Sequence, residues 1–408
     1  MMWPTETGLK EKKTVPTTRR SIFTLSAGAG GALALAACGT DQSAAPRTSA
    51  QPTAGLAATA PAALDIPGSG IVKGPFPGEA KSLTGAGATF PAALYSKWFT
   101  EYNRLTQVEV NYQSIGSGGG IKAIQDMTAD FGATDGAMTN DQLKDAKGGE
   151  LFHIPMALGG VVATYNIPEV PASAKLRFSP DTLVGIFMGE IKKWNDAKIK
   201  SDNPTVTALP DKEIVTVHRS DSSGTTYIFV DYLSNVSPAW KEKVGTSTAV
   251  NWPVGLGGKG NEGVAGEVKQ NAYSIGYVEL IYARQNKLGY AAIKNKAGQF
   301  VDAELETVTA AAQGVLANIP ADLRASIVNA EGAKSYPISG FTWILAYKDM
   351  KEEPRAVALT RMLWWATHDA QKFNGDLGYA PLPPEIIKKG EEKIKAIGVN
   401  GKPAFPNK

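Results

Sequence analysis

An α/β architecture is predicted by two observations. From Ser82 onward, short runs rich in β-branched residues alternate with stretches of helical spacing. The joints between them are short, rich in glycine, serine and threonine, and lead from a strand into a helix. A third observation sets the scale: 408 residues with 43% apolar content suffice for two packed α/β domains with a buried core.

The elements follow in order. "SLTG" from Ser82 reads as a short strand. "PAALYSKWFTEYNR" opens on Pro91, whose fixed φ suits a first helical turn, and Leu94, Tyr95, Trp98 and Tyr102 keep one helical face. "VEVNYQ" alternates with period two, as a strand does. "IKAIQDM" is helical, and "ADFGATD" is a short strand ending at Asp135. "LFHIPMALGGVVATYN" gives two strand-like runs. "SPDTLVGIFMGE" is a helix with Ser179 as N-cap, Pro180 in the first turn and Gly189 past the end. "IVTVH", "YSIGYVEL" and the apolar "FTWILAY" are strands. "PRAVALTRMLWWATH" is an amphipathic helix whose Leu363–Trp365 run belongs to the core. Alternating units of this kind imply largely parallel sheets, whose ligands sit beyond the carboxyl ends of the strands.

The N-terminus differs. Lys10, Lys12, Lys13, Arg19 and Arg20 precede an uncharged Ala-, Gly- and Leu-rich stretch from Ser21 to Cys38. This reads as a secretory leader over residues 1–38. "TRRSIFTL" resembles a twin-arginine export signal, and "LAACGT" resembles a lipoprotein box with Cys38 as the lipidated residue. A membrane-spanning helix is the competing reading, disfavoured because the stretch is short and glycine-rich. Cys38 is the single cysteine, so the mature chain has neither disulfide nor thiol chemistry. Residues 39–81, dominated by Ala, Pro, Thr, Ser and Gly, read as a disordered linker.

Charge excludes one class of partner. Residues 1–38 carry five Lys/Arg and two Glu, and removing those seven charges leaves 37 of each sign. A mature chain of zero net charge has no electrostatic footprint for nucleic acid. Any anion must be held by local groups.

Three turns offer such groups. "TGAGATFP", "SIGSGGGI" and "RSDSSGTTY" each lie between a strand and a helix, and each combines glycine with hydroxyl residues. A helix start has amide hydrogens without intrahelical acceptors and a partial positive charge. Glycine lets a ligand approach that backbone, and Ser or Thr adds donors. Singly, each turn is accounted for by ordinary helix capping; three together, with Arg219 and Asp221 in the third, point to an oxyanion cradle. Nucleotide motifs fit poorly. "GAGATF" lacks the third glycine of the dinucleotide fingerprint, and "GLGGKGNEG" lacks the Lys-Ser/Thr pair of a P-loop.

The segments "LTGAGATFPAALYSKW", "NYQSIGSGGGIKAIQD", "DFGATD", "RSDSSGTTYIFVDYL", "WPVGLGGKGNEGVAG" and "SIGYVELIYARQNKL" resemble the periplasmic phosphate-binding proteins of ABC-type phosphate importers. The likeness runs from about residue 82 to the C-terminus. It implies a type II periplasmic-binding-protein fold, two α/β lobes joined by a two-strand hinge. Lobe I would comprise residues 82–160 and 337–408, and lobe II residues 161–336, with crossings near Gly160 and Pro337. By matching position, the resemblance assigns phosphate contacts to Thr89, Phe90, Ser117 and Asp135 in lobe I. In lobe II it assigns them to Arg219, Asp221, Ser223, Gly224 and Thr225, with Asp221 holding the Arg219 guanidinium. It implies an extracytoplasmic monomer that delivers inorganic phosphate to a membrane permease and needs no cofactor, and the lipoprotein box at Cys38 would anchor it to a membrane by a lipid. Two positions depart from the family: His218 stands where a second arginine is frequent, and Gly118 where a serine is common.

An aspartate beside an anion calls for a reason. Two negative charges about 4 Å apart repel by about 4 kcal/mol at an effective dielectric of 20. An ionised carboxylate only accepts hydrogen bonds, so Asp135 would admit phosphate, which carries a hydrogen at neutral pH, and reject sulfate, which does not. Taken alone, an Asp in "ATDGAMT" is more commonly a cap; the resemblance favours the filter. Two other readings stay open: a binding protein for another oxyanion, and a secreted phosphoryl hydrolase. The second would need metal ligands or an activated nucleophile, and His153, His218 and His368 show no ligand spacing.

Overall fold

The computed structural model describes residues 78–171 and 174–405. The expected leader with Cys38, and residues 39–77 of the expected linker, lie outside the described residues. The chain begins with β1 (Ser82–Gly87), α1 (Ala92–Thr106), β2 (Glu109–Ser114), α2 (Ser117–Gln125), β3 (Phe131–Thr134), α3 (Asn140–Lys144) and β4 (Leu151–Asn166). It continues through β5 (Arg177–Phe178), α4 (Pro180–Phe187), α5 (Ala197–Asp202), β6 (Val215–Arg219), α6 (Gly224–Val236), α7 (Pro238–Lys243), β7 (Leu256–Gly258) and α8 (Gly260–Gln270). Then come β8 (Ser274–Glu279), α9 (Leu280–Asn286), β9 (Gly289–Tyr290), β10 (Ala292–Lys294), β11 (Phe300–Val301) and α10 (Leu305–Gln313). The last elements are β12 (Ser339–Tyr347), α11 (Glu353–Thr367), α12 (Pro384–Ala396), β13 (Gly398–Val399) and β14 (Lys402–Pro403).

One curled sheet runs in the order β2-β1-β3-β12-β4-β8-β6-β7, with β9 also on β4. Its flanks are parallel: β1 with β2 and β3, and β6 with β7 and β8. Its centre is antiparallel, because β12 pairs with β3 and β4, and β4 with β8. The sheets are therefore mixed, not largely parallel as the alternation suggested. The long central strands run against their neighbours.

Strand β4 explains the centre. Residues up to Gly160 pair with β12, and those from Val161 pair with β8. The apparent break at Gly159–Gly160 separated two runs in the sequence; the chain instead continues straight and changes partner there. Every residue of β4 except Asn166 is buried, which is why it reads as a long apolar run without alternation. Pro155, which lacks a ladder donor, falls where β12 slips register between Thr342 and Trp343.

Helix α1 buries the face its spacing predicts: Leu94, Tyr95, Trp98 and Tyr102 are fully enclosed, and Trp98 Nε1 donates to the Ala370 carbonyl at 3.0 Å. Helix α4 has Ser179 as N-cap and Gly189 beyond its end with φ +74°. Helix α11 departs from expectation. It is buried round most of its circumference, including Thr360 and Arg361, because β1 and β4 lie against it on one side and α12 on another. Among the described residues no helix is long and apolar enough to cross a membrane.

Candidate functional site

The three turns singled out in the sequence do carry strands into helices. β1 leads into α1 through Thr89 and Phe90, β2 into α2 at Ser117, and β6 into α6 at Gly224 and Thr225. A fourth was missed: β7 leads through Lys259 into α8 at Gly260 and Asn261. All four lie at the carboxyl ends of parallel strands, and their first-turn amides have no intrahelical acceptors by position.

The third turn is organised round Arg219, the last residue of β6. Its Nε and Nη2 donate to the two oxygens of Asp221 at 2.8 and 2.6 Å, a bidentate pair. Its Nη1 faces Thr225 Oγ1 at 3.5 Å, and its backbone N–H donates to the Tyr277 hydroxyl. The Gly260 amide donates to Asp221 Oδ1 at 3.0 Å. Burial works to raise the Asp221 carboxyl, but the hydrogen bonds and charge of Arg219, with the Gly260 amide, hold it below the usual carboxylate range. Ser223 Oγ caps α6 by accepting from the Thr226 amide at 3.1 Å.

The other side of the site meets this turn directly. Ser117 Oγ accepts from the amides of Asp135, at 3.3 Å, and Gly224, at 3.0 Å. The Gly118 amide donates to the Ser222 carbonyl at 3.1 Å. Two glycines make this approach feasible. A Cβ at Gly118 would lie 2.4 Å from Ser222 Cβ, and one at Gly224 would lie 2.6 Å from Asp135 Cβ. Thr89 Oγ1 accepts from the Asn261 amide at 3.2 Å and from Asn261 Nδ2 at 2.8 Å. Asn261 Nδ2 also donates to Thr225 Oγ1 at 3.0 Å, so one side chain ties two turns together. The Thr89 and Phe90 carbonyls accept from the hydroxyls of Tyr282 and Tyr379, both at 2.6 Å.

Asp135 stands apart. It is 1% exposed, and neither carboxylate oxygen has a hydrogen-bond partner among the described residues. Burial pushes its carboxyl up to about 7, against opposing pulls from Thr342, Arg219 and Ser117. The site thus offers amide and hydroxyl donors, one buried guanidinium and one unpaired carboxyl.

Seven of the nine predicted residues fall into two hydrogen-bonded networks that meet at the Gly224–Thr225 peptide bond: Ser117 with the Asp135 and Gly224 amides, and Thr89, Thr225, Arg219 and Asp221 joined through Asn261. Phe90 adjoins it through its backbone, while the Ser223 hydroxyl serves α6 as a cap. His218, which replaces a frequent arginine, stacks on Trp252 with ring centroids 5.0 Å apart. Asn261 and Gly260 are not singled out by the sequence because "GLGGKGNEG" lacks the hydroxyl residues of the other three turns; its glycines between a strand and a helix are the signal it shares with them.

Comparison with known proteins adds three findings. A family model described as a PBP superfamily domain matches residues 44–366. The phosphate-binding protein PstS of Pasteurella multocida is 44% identical over 78% of this chain and 91% of its own length. That of Xylella fastidiosa strain 9a5c is 46% identical over 76% of this chain and 84% of its own. Among solved structures, a high-affinity periplasmic phosphate-binding protein (PfluDING) with bound phosphate aligns with a TM-score of 0.60. It is 20% identical and covers 78% of this chain and 99% of its own.

Proposed function

The chain belongs to the PstS family of phosphate-binding proteins within the PBP superfamily, and from that membership we propose that it captures inorganic phosphate between two lobes and delivers it to an ABC-type permease. Its fold is the type II periplasmic-binding-protein fold, two α/β lobes joined by a two-strand hinge. Lobe I takes residues 82–160 and 337–408, and lobe II residues 161–336. The partner change of β4 between Gly160 and Val161 supports the first crossing, and the start of β12 at Ser339 the second.

The observation that carries this reading is the cluster itself. Turns more than a hundred residues apart bring Ser117 against Gly224 and Thr89 against Asn261, beside a buried guanidinium. Amides and hydroxyls neutralise a dehydrated oxyanion, and Arg219 supplies the countercharge. Asp135 accepts the ligand's hydrogen and so selects phosphate over sulfate. Hinge closure brings the halves of the cradle together. The protein binds and releases its ligand unchanged, as a substrate-binding protein and not an enzyme, and works as a monomer outside the cytoplasm. It is held there by a lipid on Cys38 after export.

Isothermal calorimetry against phosphate, sulfate, arsenate and molybdate tests this. One phosphate per chain is expected, with sulfate weaker by about a hundredfold or more, given about 1.4 kcal/mol per factor of ten. Equal affinity for sulfate would remove the filter, and absence of phosphate binding would remove the function.

A further inference from the structure

Behind Asp135 the core holds two polar groups that the cradle does not use. Trp343 of β12 pairs with Thr134, so the antiparallel register, continued by one position, sets Thr342 opposite Asp135. On its other side the β12 ladder slips between Thr342 and Trp343, and bulges beside sites re-aim a side chain. Tyr95 lies on the buried face of α1, and Thr342 and Asp135 are the two groups that act on its phenol besides burial. Tyr95 and Thr342 are fully buried. The Tyr95 phenol, Thr342 Oγ1 and both Asp135 oxygens form no hydrogen bond of normal geometry with any described residue. Yet Thr342 lies close enough to favour the charged form of both neighbours, against burial, which is the larger influence on each. Polar groups enclosed together in a dry core find one another as partners.

We propose that Thr342 is a specificity-determining residue: its hydroxyl accepts from Tyr95 and donates to Asp135, keeping that carboxylate an acceptor that only a hydrogen-bearing oxyanion satisfies. The inference rests on the phosphate reading of the site. A protonated Asp135 would be a donor and would welcome sulfate, so the filter holds only while the carboxyl is ionised. Burial alone works against that state. Phosphate is nearly indifferent to the change, because the hydrogen shared between it and Asp135 can come from either party. Sulfate brings none, so it needs the protonated carboxyl.

The other acidic groups facing Asp135 keep one protonation state across the range in which it titrates. Arg219 approaches from β6, and Asp221 stays ionised through its pairing with Arg219. Tyr95 from α1, Tyr112 from β2, Tyr282 from α9 and Tyr379 are all pushed above their ordinary range by burial and keep their protons.

The test is calorimetric titration with phosphate and with sulfate, from about pH 5.5 to 8.5, on the wild type, Thr342→Val and Thr342→Ser. Losing the hydroxyl should move the sulfate profile upward by about one pH unit; from a midpoint of about 7 that is a gain in sulfate affinity of about eightfold at pH 8.5 and about twofold near pH 7. Phosphate affinity should stay near that of the wild type, and Thr342→Ser should restore the original profile. Tyr95→Phe should give a smaller shift in the same direction and serves if Thr342→Val does not fold. Superimposed profiles, or equal losses for both anions, would overturn the inference alone, since phosphate binding by the wild type would still stand. A wild type that binds no phosphate would overturn the underlying reading and this inference with it.

Discussion

Asp221 and Asp135 lie in the two networks that meet at Gly224–Thr225, and the structure treats them in opposite ways. Asp221 is paired at both oxygens by Arg219 and takes a third hydrogen bond from Gly260. Asp135 is more deeply buried and has no partner for either oxygen among the described residues. The first carboxyl is held below its usual range, while the second is pushed up to about 7. In the proposed phosphate site the difference would separate scaffold from selector. A satisfied carboxylate fixes the guanidinium and leaves the ligand little to gain from it. In the proposed site the second keeps acceptor capacity that the hydrogen of a bound phosphate would fill, since a buried polar group short of partners is costly.

The contrast breaks most severely at Arg219. Arg219→Ala removes a charge-assisted donor, worth about 1.5–3 kcal/mol. It also strands Asp221 beside the anion, a repulsion on the order of 4 kcal/mol at 4 Å and an effective dielectric of 20. Phosphate affinity by calorimetry should fall by about a thousandfold or more, at about 1.4 kcal/mol per tenfold. Affinity close to the wild type would mean that the guanidinium does not face the ligand. A smaller effect, of another kind, is expected on the other side. Asp135→Asn exchanges an acceptor-only group for an amide that can donate to sulfate. The ratio of phosphate to sulfate affinity should narrow by about a hundredfold, through tighter sulfate more than weaker phosphate. An unchanged ratio would show that selection lies elsewhere.

This contrast was only half legible in the sequence. Arg219 and Asp221 are two residues apart in a single turn, so their pairing follows from local geometry. The alternation of strands and helices, and the helix starts at Ser117 and Gly224, were readable because capping and periodicity are local too. Asp135 was found through family resemblance, but its environment was not visible. Thr342 lies over two hundred residues away, and only the β3–β12 register makes them neighbours. Asn261 was hidden for the same reason, as its partners Thr89 and Thr225 come from distant turns. The continuity of β4 was masked by Gly159 and Gly160, which resemble a break unless the partner change is known. What remains unreadable from one chain is long-range register, and the proposed selective role of Asp135 depends on it.

The smallest effect sharpens the comparison through pH and needs no ligand. Asp221 has a folded pKa below its unfolded value, so its contribution to stability is present above about pH 4 and lost as pH falls further. Asp135 has the opposite sign. Its folded value of about 7 exceeds the ordinary carboxyl value of 3.8, so its contribution is complete below pH 3.8 and is lost as pH rises through 7. Glu279, also raised by burial, acts in the same direction. His153 confuses the lower half of this range, because burial, then Arg324, lowers it to about 3, and its contribution fades as pH falls below 6.5. Comparing the wild type with Asp135→Asn cancels both. The phosphate-free wild type should lose stability relative to the variant between about pH 4 and 7. With about 1.4 kcal/mol per pKa unit, the relative loss is a few kcal/mol at most, or several degrees in Tm. Melting curves that keep a constant separation across that range would mean that Asp135 does not change its protonation there. The carboxyl would then be an ordinary ionised group, no different in kind from Asp221.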